Sequence, residues 1–125
     1  MKIFKNILII LVLLISANIN ANTEAAKKHL LFGYVVDATN GKPLEYATVK
    51  LLQIKDSTLI TGVVTNLNGE FLLETKLVGA FLIQVNYLGY QKSIREIEIK
   101  KAFRNIDIGT IRLEPAAENL SEVTV

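Results

Sequence analysis

The sequence predicts an all-β sandwich of seven strands, and three observations lead to that prediction. After residue 29, apolar residues alternate with polar ones, which is the period of a half-buried strand. Turn residues interrupt the alternation about every ten positions, a spacing typical of sandwiches. No segment beyond the N-terminal region is long enough and periodic enough to sustain a helix. The seven candidate strands are residues 30–37, 47–53, 58–65, 70–75, 80–88, 91–100 and 106–113.

Turn residues separate the first two strands. Asn40-Gly41 and Pro43 end the first, since glycine allows a tight turn and proline fixes φ and lacks an N–H donor. The second strand then directs Val49 and Leu51 to the same face, because side chains alternate along a strand.

The third strand is rich in β-branched residues, which favour extended backbone. Asn68-Gly69 follows it and predicts a type I′ hairpin to the fourth strand, because both central residues of that turn need positive φ. The fifth strand alternates regularly, with Ile83 and Val85 on one face and Gln84 on the other.

The last two strands each contain a break in the alternation. Ile94 and Ile97 differ in parity, which predicts a β-bulge near Arg95-Glu96. A second break falls at Gly109, and glycine is a common bulge residue. Seven short strands with these turns favour immunoglobulin-like Greek-key connections, and residues 30–115 suffice for a modest core without disulfides.

The N-terminal 21 residues match a secretory signal peptide. Lys2 and Lys5 precede an unbroken apolar run at 7–15, and small or polar residues follow. The run is shorter than the roughly 20 residues that a membrane-spanning helix needs. Cleavage after Ala17 and cleavage after Ala21 are both compatible with residue size.

Cleavage at residue 21 would leave a neutral chain. The whole chain has 14 basic and 12 acidic side chains, and the net charge of +2 resides in Lys2 and Lys5. A neutral domain is not expected to bind nucleic acid, and no membrane span is expected in the mature chain. We expect four segments: signal peptide (1–21), flexible lead-in (22–29), β-sandwich (30–115) and linker with tail (116–125).

The sequence predicts no catalytic residue, metal site or cofactor. The chain has no cysteine, and His29 is its only histidine, which cannot supply a typical zinc site or catalytic triad. We therefore expect His29 to be solvated or half-packed at the start of the first strand. Asp37 precedes a turn, where we expect it to bond turn backbone groups.

Tyrosines are the residues best suited to contacting a ligand. Tyr34, Tyr46, Tyr87 and Tyr90 could form a stacking platform for sugars or bases, but the chain has no tryptophan and no evident basic groove. Packing in the core and at its rim is the favoured interpretation.

Five segments resemble the carboxypeptidase regulatory-like family. These are GYVVD at 33–37, GKPL at 41–44, ATV at 47–49, TNLNGEF at 65–71 and VNYLGY at 85–90. They are similar, in the same order, to the family's Gly-x-Val-x-Asp, Gly-x-Pro-Leu, Ala-x-Val, Thr-Asp-x-x-Gly-x-Phe and Val-x-Tyr-x-Gly-Tyr elements. The structural motif residues are Gly33, Asp37, Gly41, Pro43, Ala47, Gly69, Phe71, Tyr87, Gly89 and Tyr90.

The resemblance implies a transthyretin-like sandwich that is usually a non-catalytic accessory domain. Asn66 stands where the family more often has aspartate. A transthyretin-like hydrolase would need a histidine cluster that this sequence lacks. Phe71 and Tyr87 fall on apolar faces, and we expect them to fill the core.

The C-terminal tail resembles a segment of TonB-dependent outer-membrane receptors, where Leu-x-Glu-Val-x-Val follows this domain and is similar to a TonB box. The corresponding residues, Leu120, Glu122, Val123 and Val125, are the candidate partner-binding residues. A short β-prone segment suits addition to another protein's sheet edge. A frayed terminus or an eighth edge strand is an equally weighted alternative.

The resemblance implies a non-enzymatic exported module similar to the N-terminal extension of a TonB-dependent receptor of Bacteroidota, acting as a spacer or docking domain in nutrient uptake. The implied partners are TonB or outer-membrane barrel components, and the implied location is the periplasm or the outer membrane. Without a plug or barrel, the chain is expected to transport nothing alone. A truncated product, a receptor fragment and a free-standing module all remain open. The alternative function is a secreted carbohydrate- or peptide-binding module.

Overall fold

Seven β-strands make up the regular structure of this computed structural model, which describes Ile3 and residues 27–117. The predicted signal peptide and the candidate partner-binding residues therefore lie outside the continuous described range. The strands are β1 (His29–Asp37), β2 (Thr48–Gln53), β3 (Leu59–Val64), β4 (Glu70–Thr75), β5 (Gly79–Asn86), β6 (Ser93–Ile99) and β7 (Asn105–Leu113). Among the described residues, no helix has the length and apolar character needed to cross a membrane.

The strands form two sheets, which confirms the predicted sandwich. The three-stranded sheet has the order β4-β1-β7, with β1 antiparallel to β4 and parallel to β7. The four-stranded sheet has the order β3-β2-β5-β6, and all its neighbouring strands are antiparallel. Strands β1, β2 and β5 are therefore interior strands, each paired on both sides.

The core lies between the two sheets and is built from the inward residues of the alternating strands. Burying these side chains supplies the main driving force for folding. Phe71 is buried as expected, and Tyr87 packs against the margin of the core. The other buried core members are Leu31, Val35, Leu44, Ala47, Val49, Leu51, Leu73, Phe81, Ile83, Val85, Ile99, Ile108, Ile111 and Leu113.

The bulge predicted in the last strand is confirmed. Pairing between β1 and β7 shifts between Phe32 and Gly33, whose partners are Asp107 and Gly109, so Ile108 is the extra residue. Gly109 has φ +82°, a conformation that glycine adopts without a steric penalty. The bulge allows Ile108 and Ile111 to be buried in the same core despite their odd spacing.

The bulge predicted near Arg95-Glu96 is wrong. Strand β6 pairs with β5 in unbroken register from Val85 opposite Ser93 to Gly79 opposite Ile99. Ile94 keeps the alternation by lying on the outer face, where 52% of it is exposed. The predicted bulge requires Ile94 to point inward, but isolated apolar side chains are common on protein surfaces.

The type I′ hairpin predicted at Asn68-Gly69 is also wrong, because β3 and β4 belong to different sheets. Gly69 alone of this pair has positive φ, +73°. The connection is a turn closed by a hydrogen bond from Gly69 N to Asn66 O (2.9 Å). Asn66 Oδ1 accepts hydrogen bonds from the backbone N–H groups of Asn68 (3.0 Å) and Glu70 (2.9 Å), so the amide performs the turn-bonding role available to an aspartate.

His29 is buried rather than solvated or half-packed. It is the first residue of β1, is only 2% exposed, and its Nδ1 lies 2.6 Å from the carbonyl oxygen of Phe103. The lead-in expected over residues 22–29 therefore does not include His29. Its burial could not be predicted from the sequence, because the alternation of apolar and polar residues begins only after His29 and does not show which face of the strand it occupies.

Candidate functional site

A cleft of about 430 Å³ opens at one end of the four-stranded sheet. It combines three aromatic rings with hydroxyl, amide and ammonium groups, which is the mixed lining typical of small-molecule sites. Its lining residues are Tyr46, Thr48, Asn86, Tyr87, Leu88, Tyr90 and Lys92.

Tyr46 forms one wall and is held in a strained backbone conformation. Its φ is +64°, and 70% of the residue is exposed. Its N–H donates to the carbonyl of Thr65 (3.0 Å). Thr65, which is buried, donates its hydroxyl to the carbonyl of Leu44 (2.5 Å) and accepts a hydrogen bond from Ala47 N (2.9 Å). These bonds hold both sides of the turn that presents Tyr46.

Tyr87 and Tyr90 form a second wall of the cleft. Their ring centroids lie 5.4 Å apart with the planes inclined at 58°, a tilted arrangement favoured by aromatic pairs. A turn brings them together, closed by a hydrogen bond from Tyr90 N to Tyr87 O (3.0 Å). Both rings pack against the core, so this wall is firmly supported.

Asp37 fixes the position of Tyr90. The Tyr90 hydroxyl donates to Asp37 Oδ2 (2.5 Å), while the Thr39 hydroxyl (2.5 Å) and backbone N–H (2.7 Å) donate to Oδ1. The Thr39 hydroxyl and then the Tyr90 hydroxyl are the largest causes that lower the pKa of Asp37 from 3.8 to about 2. The same bond to the carboxylate raises the pKa of Tyr90. Asp37 bonds the turn as expected and, in addition, links the two sheets.

The floor of the cleft is polar. Thr48 and Asn86 lie directly opposite each other on β2 and β5. The Oδ1 atom of Asn86 is buried and has no hydrogen-bond partner among the described residues. Of the described residues that line the cleft, Lys92 is the only one with a formal charge.

The outgoing chain passes beside the same cleft. After β7, Pro115 pairs with Tyr90 as an isolated bridge. Gln91 N donates to Glu114 O, and Ala116 N donates to Gly89 O, each at 2.8 Å. The Val-x-Tyr-x-Gly-Tyr segment thus holds both the aromatic wall and the point at which the chain leaves the sandwich.

The predicted motif residues occupy two regions. Asp37, Tyr87, Gly89 and Tyr90 lie at the cleft and the chain exit. The others, Gly33, Gly41, Pro43, Ala47, Gly69 and Phe71, lie in strands, in turns or in the core. Leu120, Glu122, Val123 and Val125 lie outside the described residues.

Thr48 and Asn86 could not be recognised as cleft residues from the sequence alone. Their positions on the outer face of alternating strands are visible in the sequence, but which outer residues face each other depends on the strand register. The structure brings Tyr46, Tyr87 and Tyr90 together and leaves Tyr34 on β1 of the other sheet. Within residues 27–117, no group of three or more potential ligands could hold a metal ion.

A family model for the CarboxypepD_reg-like domain matches residues 31–125, which is most of the chain. The chain belongs to this family. The match extends from β1 through the cleft and includes every motif residue named above. No curated protein matches the sequence.

Solved structures share the fold of this CarboxypepD_reg-like domain at low identity. Catechol 1,2-dioxygenase from Acinetobacter sp. ADP1 has a TM-score of 0.61 and 13% identity, over 85% of this chain and 58% of that one. BcpA, the major pilin subunit of Bacillus cereus, has a TM-score of 0.59 and 12% identity, over 72% and 31%. The chain spans less than two thirds of either protein. These similarities indicate a common sandwich fold.

Proposed function

We propose that this domain is a non-enzymatic, exported accessory module, similar to the N-terminal extension of a TonB-dependent outer-membrane receptor. In this role the sandwich is a spacer or docking domain in the periplasm or at the outer membrane. It presents the segment 120–125 to TonB or to a barrel component. Family membership and the resemblance of the tail to a TonB box support this assignment.

The anchored exit of the chain is the observation that carries the proposal. The bridge between Tyr90 and Pro115 and the hydrogen bond from Ala116 to Gly89 fix the chain immediately before the tail. A segment that follows a fixed point is presented from a defined place on the domain. That arrangement suits a segment that adds as a strand to a partner's sheet edge.

A pull-down with the periplasmic domain of TonB tests the role of the tail. Deleting residues 120–125 should abolish binding, because it removes Leu120, Val123 and Val125 together. The matched control replaces Leu59, which is exposed on the edge strand β3, with serine, and it should bind normally. Equal binding by the deletion variant and the full chain would refute the proposed role of the tail.

Export is tested separately by intact-mass analysis of the periplasmic fraction. Removal of the N-terminal 17 or 21 residues is the expected result, because the apolar run at 7–15 is flanked by lysines and small residues. A full-length N-terminus in that fraction would contradict the signal-peptide prediction.

A further inference from the structure

We propose that the cleft is a carbohydrate-binding site for a neutral oligosaccharide. One sugar ring would lie against Tyr46, and its hydroxyl groups would bond to Asn86 and Thr48 on the floor. This inference goes beyond the receptor-module function, since it concerns the sandwich and does not depend on export or on the tail.

The strain at Tyr46 is the first observation that supports a ligand. A bulky residue at φ +64° is an uncommon conformation that costs about 1–3 kcal/mol. The exposed ring recovers little of this cost through burial, since the residue is 70% exposed. Glycine would adopt the same turn without the cost. Hydrogen bonds to Thr65 hold the turn that carries this ring. Contact between the ring and a bound ligand would explain why the strained conformation is kept.

The orphaned acceptor at the floor is the second observation. A buried oxygen without a hydrogen bond costs free energy, and Asn86 Oδ1 has no protein donor among the described residues. Asn86 is the direct partner of Thr48 across β2 and β5, and both residues line the cleft. An amide and a hydroxyl together offer donors and acceptors. Rotation of the Asn86 amide about χ2, a soft torsion, would turn Oδ1 from its buried position into the cleft, where a ligand hydroxyl could donate to it.

The chemistry of the lining selects a saccharide over an extended peptide. Strands β2 and β5 are both interior, so their backbone groups are already paired and cannot extend a sheet onto a peptide. The side chains instead provide apolar ring faces and polar atoms, which match the C–H face and the hydroxyl groups of a sugar. Among the described lining residues, only Lys92 is charged, and a polyanion needs several cationic partners, so a neutral ligand is favoured.

An NMR titration of the full chain tests the proposal. The probes are maltohexaose, cellohexaose, xylohexaose and mannohexaose, with hexagalacturonate and an extended proline-rich decapeptide as competing classes. At least one neutral hexasaccharide should shift the Asn86 side-chain amide and the backbone amides of Tyr46 and Thr48. No shift with any neutral probe, or shifts with the polyanion or the peptide alone, would overturn the proposal.

Tyr46→Gly separates binding from folding. Removing the ring should weaken saccharide binding roughly tenfold or more, while the urea midpoint stays equal or rises because the strained φ no longer carries a penalty. Asn86→Leu should also weaken binding. Tyr34→Ala is the matched control, since it removes a tyrosine that is 49% exposed on the other sheet, and it should bind normally. Undiminished binding by Tyr46→Gly and Asn86→Leu would refute the assignment.

Discussion

At the scale of single residues, Thr65 holds the turn that presents Tyr46. Its buried hydroxyl donates to Leu44 O and accepts from Ala47 N. Thr65→Val keeps the shape of the side chain but removes the hydroxyl, which leaves Leu44 O without its donor and Ala47 N without its acceptor. Because unsatisfied buried polar groups are costly, we expect the free energy of unfolding to fall by about 1–3 kcal/mol, measured by urea denaturation.

Thr65→Ser is the control for this prediction, because it keeps the hydroxyl and removes only a methyl group. It should retain more of the stability than valine does. A valine variant as stable as the wild type would show that the two hydrogen bonds contribute little. The buried threonine was assigned to a strand by its β-branched neighbours, but its hydrogen-bond partners are 18 and 21 residues away and could not be deduced from local sequence.

At the scale of elements, two glycines with similar φ differ in their surroundings. At Gly109, in the β7 bulge, an added Cβ would meet nothing within 4 Å. At Gly69, in the turn between the sheets, it would lie 2.5 Å from Val35 O and 3.0 Å from Pro43 Cβ. Gly109→Ala should therefore cost about 1–2 kcal/mol from backbone strain alone, and Gly69→Ala should cost more because the clash adds to the strain.

Thermal or urea unfolding of the two alanine variants measures this difference directly. The two substitutions add the same methyl group at positive φ, so each serves as the control for the other. Equal losses of stability would mean that the turn relaxes to accommodate the Cβ, which would contradict the close packing of Gly69 against β1.

Strand positions could be predicted from the sequence because alternation is a local property. The strand candidates agree with the seven observed strands to within two residues at each end, and the bulge at Gly109 was identified. The prediction of a hairpin at Asn68-Gly69 was wrong because asparagine and glycine occur both in turns within one sheet and in turns that connect two sheets. The bulge in β6 was wrong because Ile94 was assumed to face the core.

At the scale of the whole molecule, the cleft could be predicted only in part. The tyrosines were visible as candidates, and Tyr87 and Tyr90 lie in one motif. Tyr46 joins them because the register of β2 against β5 brings Thr48 opposite Asn86. Since that register is fixed by packing of the complete sandwich, no local pattern indicates which residues share the cleft.

The bond between Asp37 and Tyr90 joins the end of β1 in one sheet to the segment before β6 in the other. In the folded chain the pKa of Asp37 is about 2, below its ordinary value of 3.8. A lowered folded-state pKa means that the ionised form stabilises the fold. Its contribution is complete above about pH 5 and is lost as the pH falls towards 2.

Urea unfolding at several pH values between 5 and 2 should show this loss in the wild type. Tyr90→Phe removes a donor to the carboxylate, which should raise the folded-state pKa of Asp37 and make the decline in stability over this range shallower. Tyr87→Phe removes a hydroxyl from the neighbouring ring and should keep the wild-type decline, which also controls for titration of the other carboxylates. Identical pH profiles for the two phenylalanine variants would show that the bond between the sheets does not link protonation of Asp37 to folding.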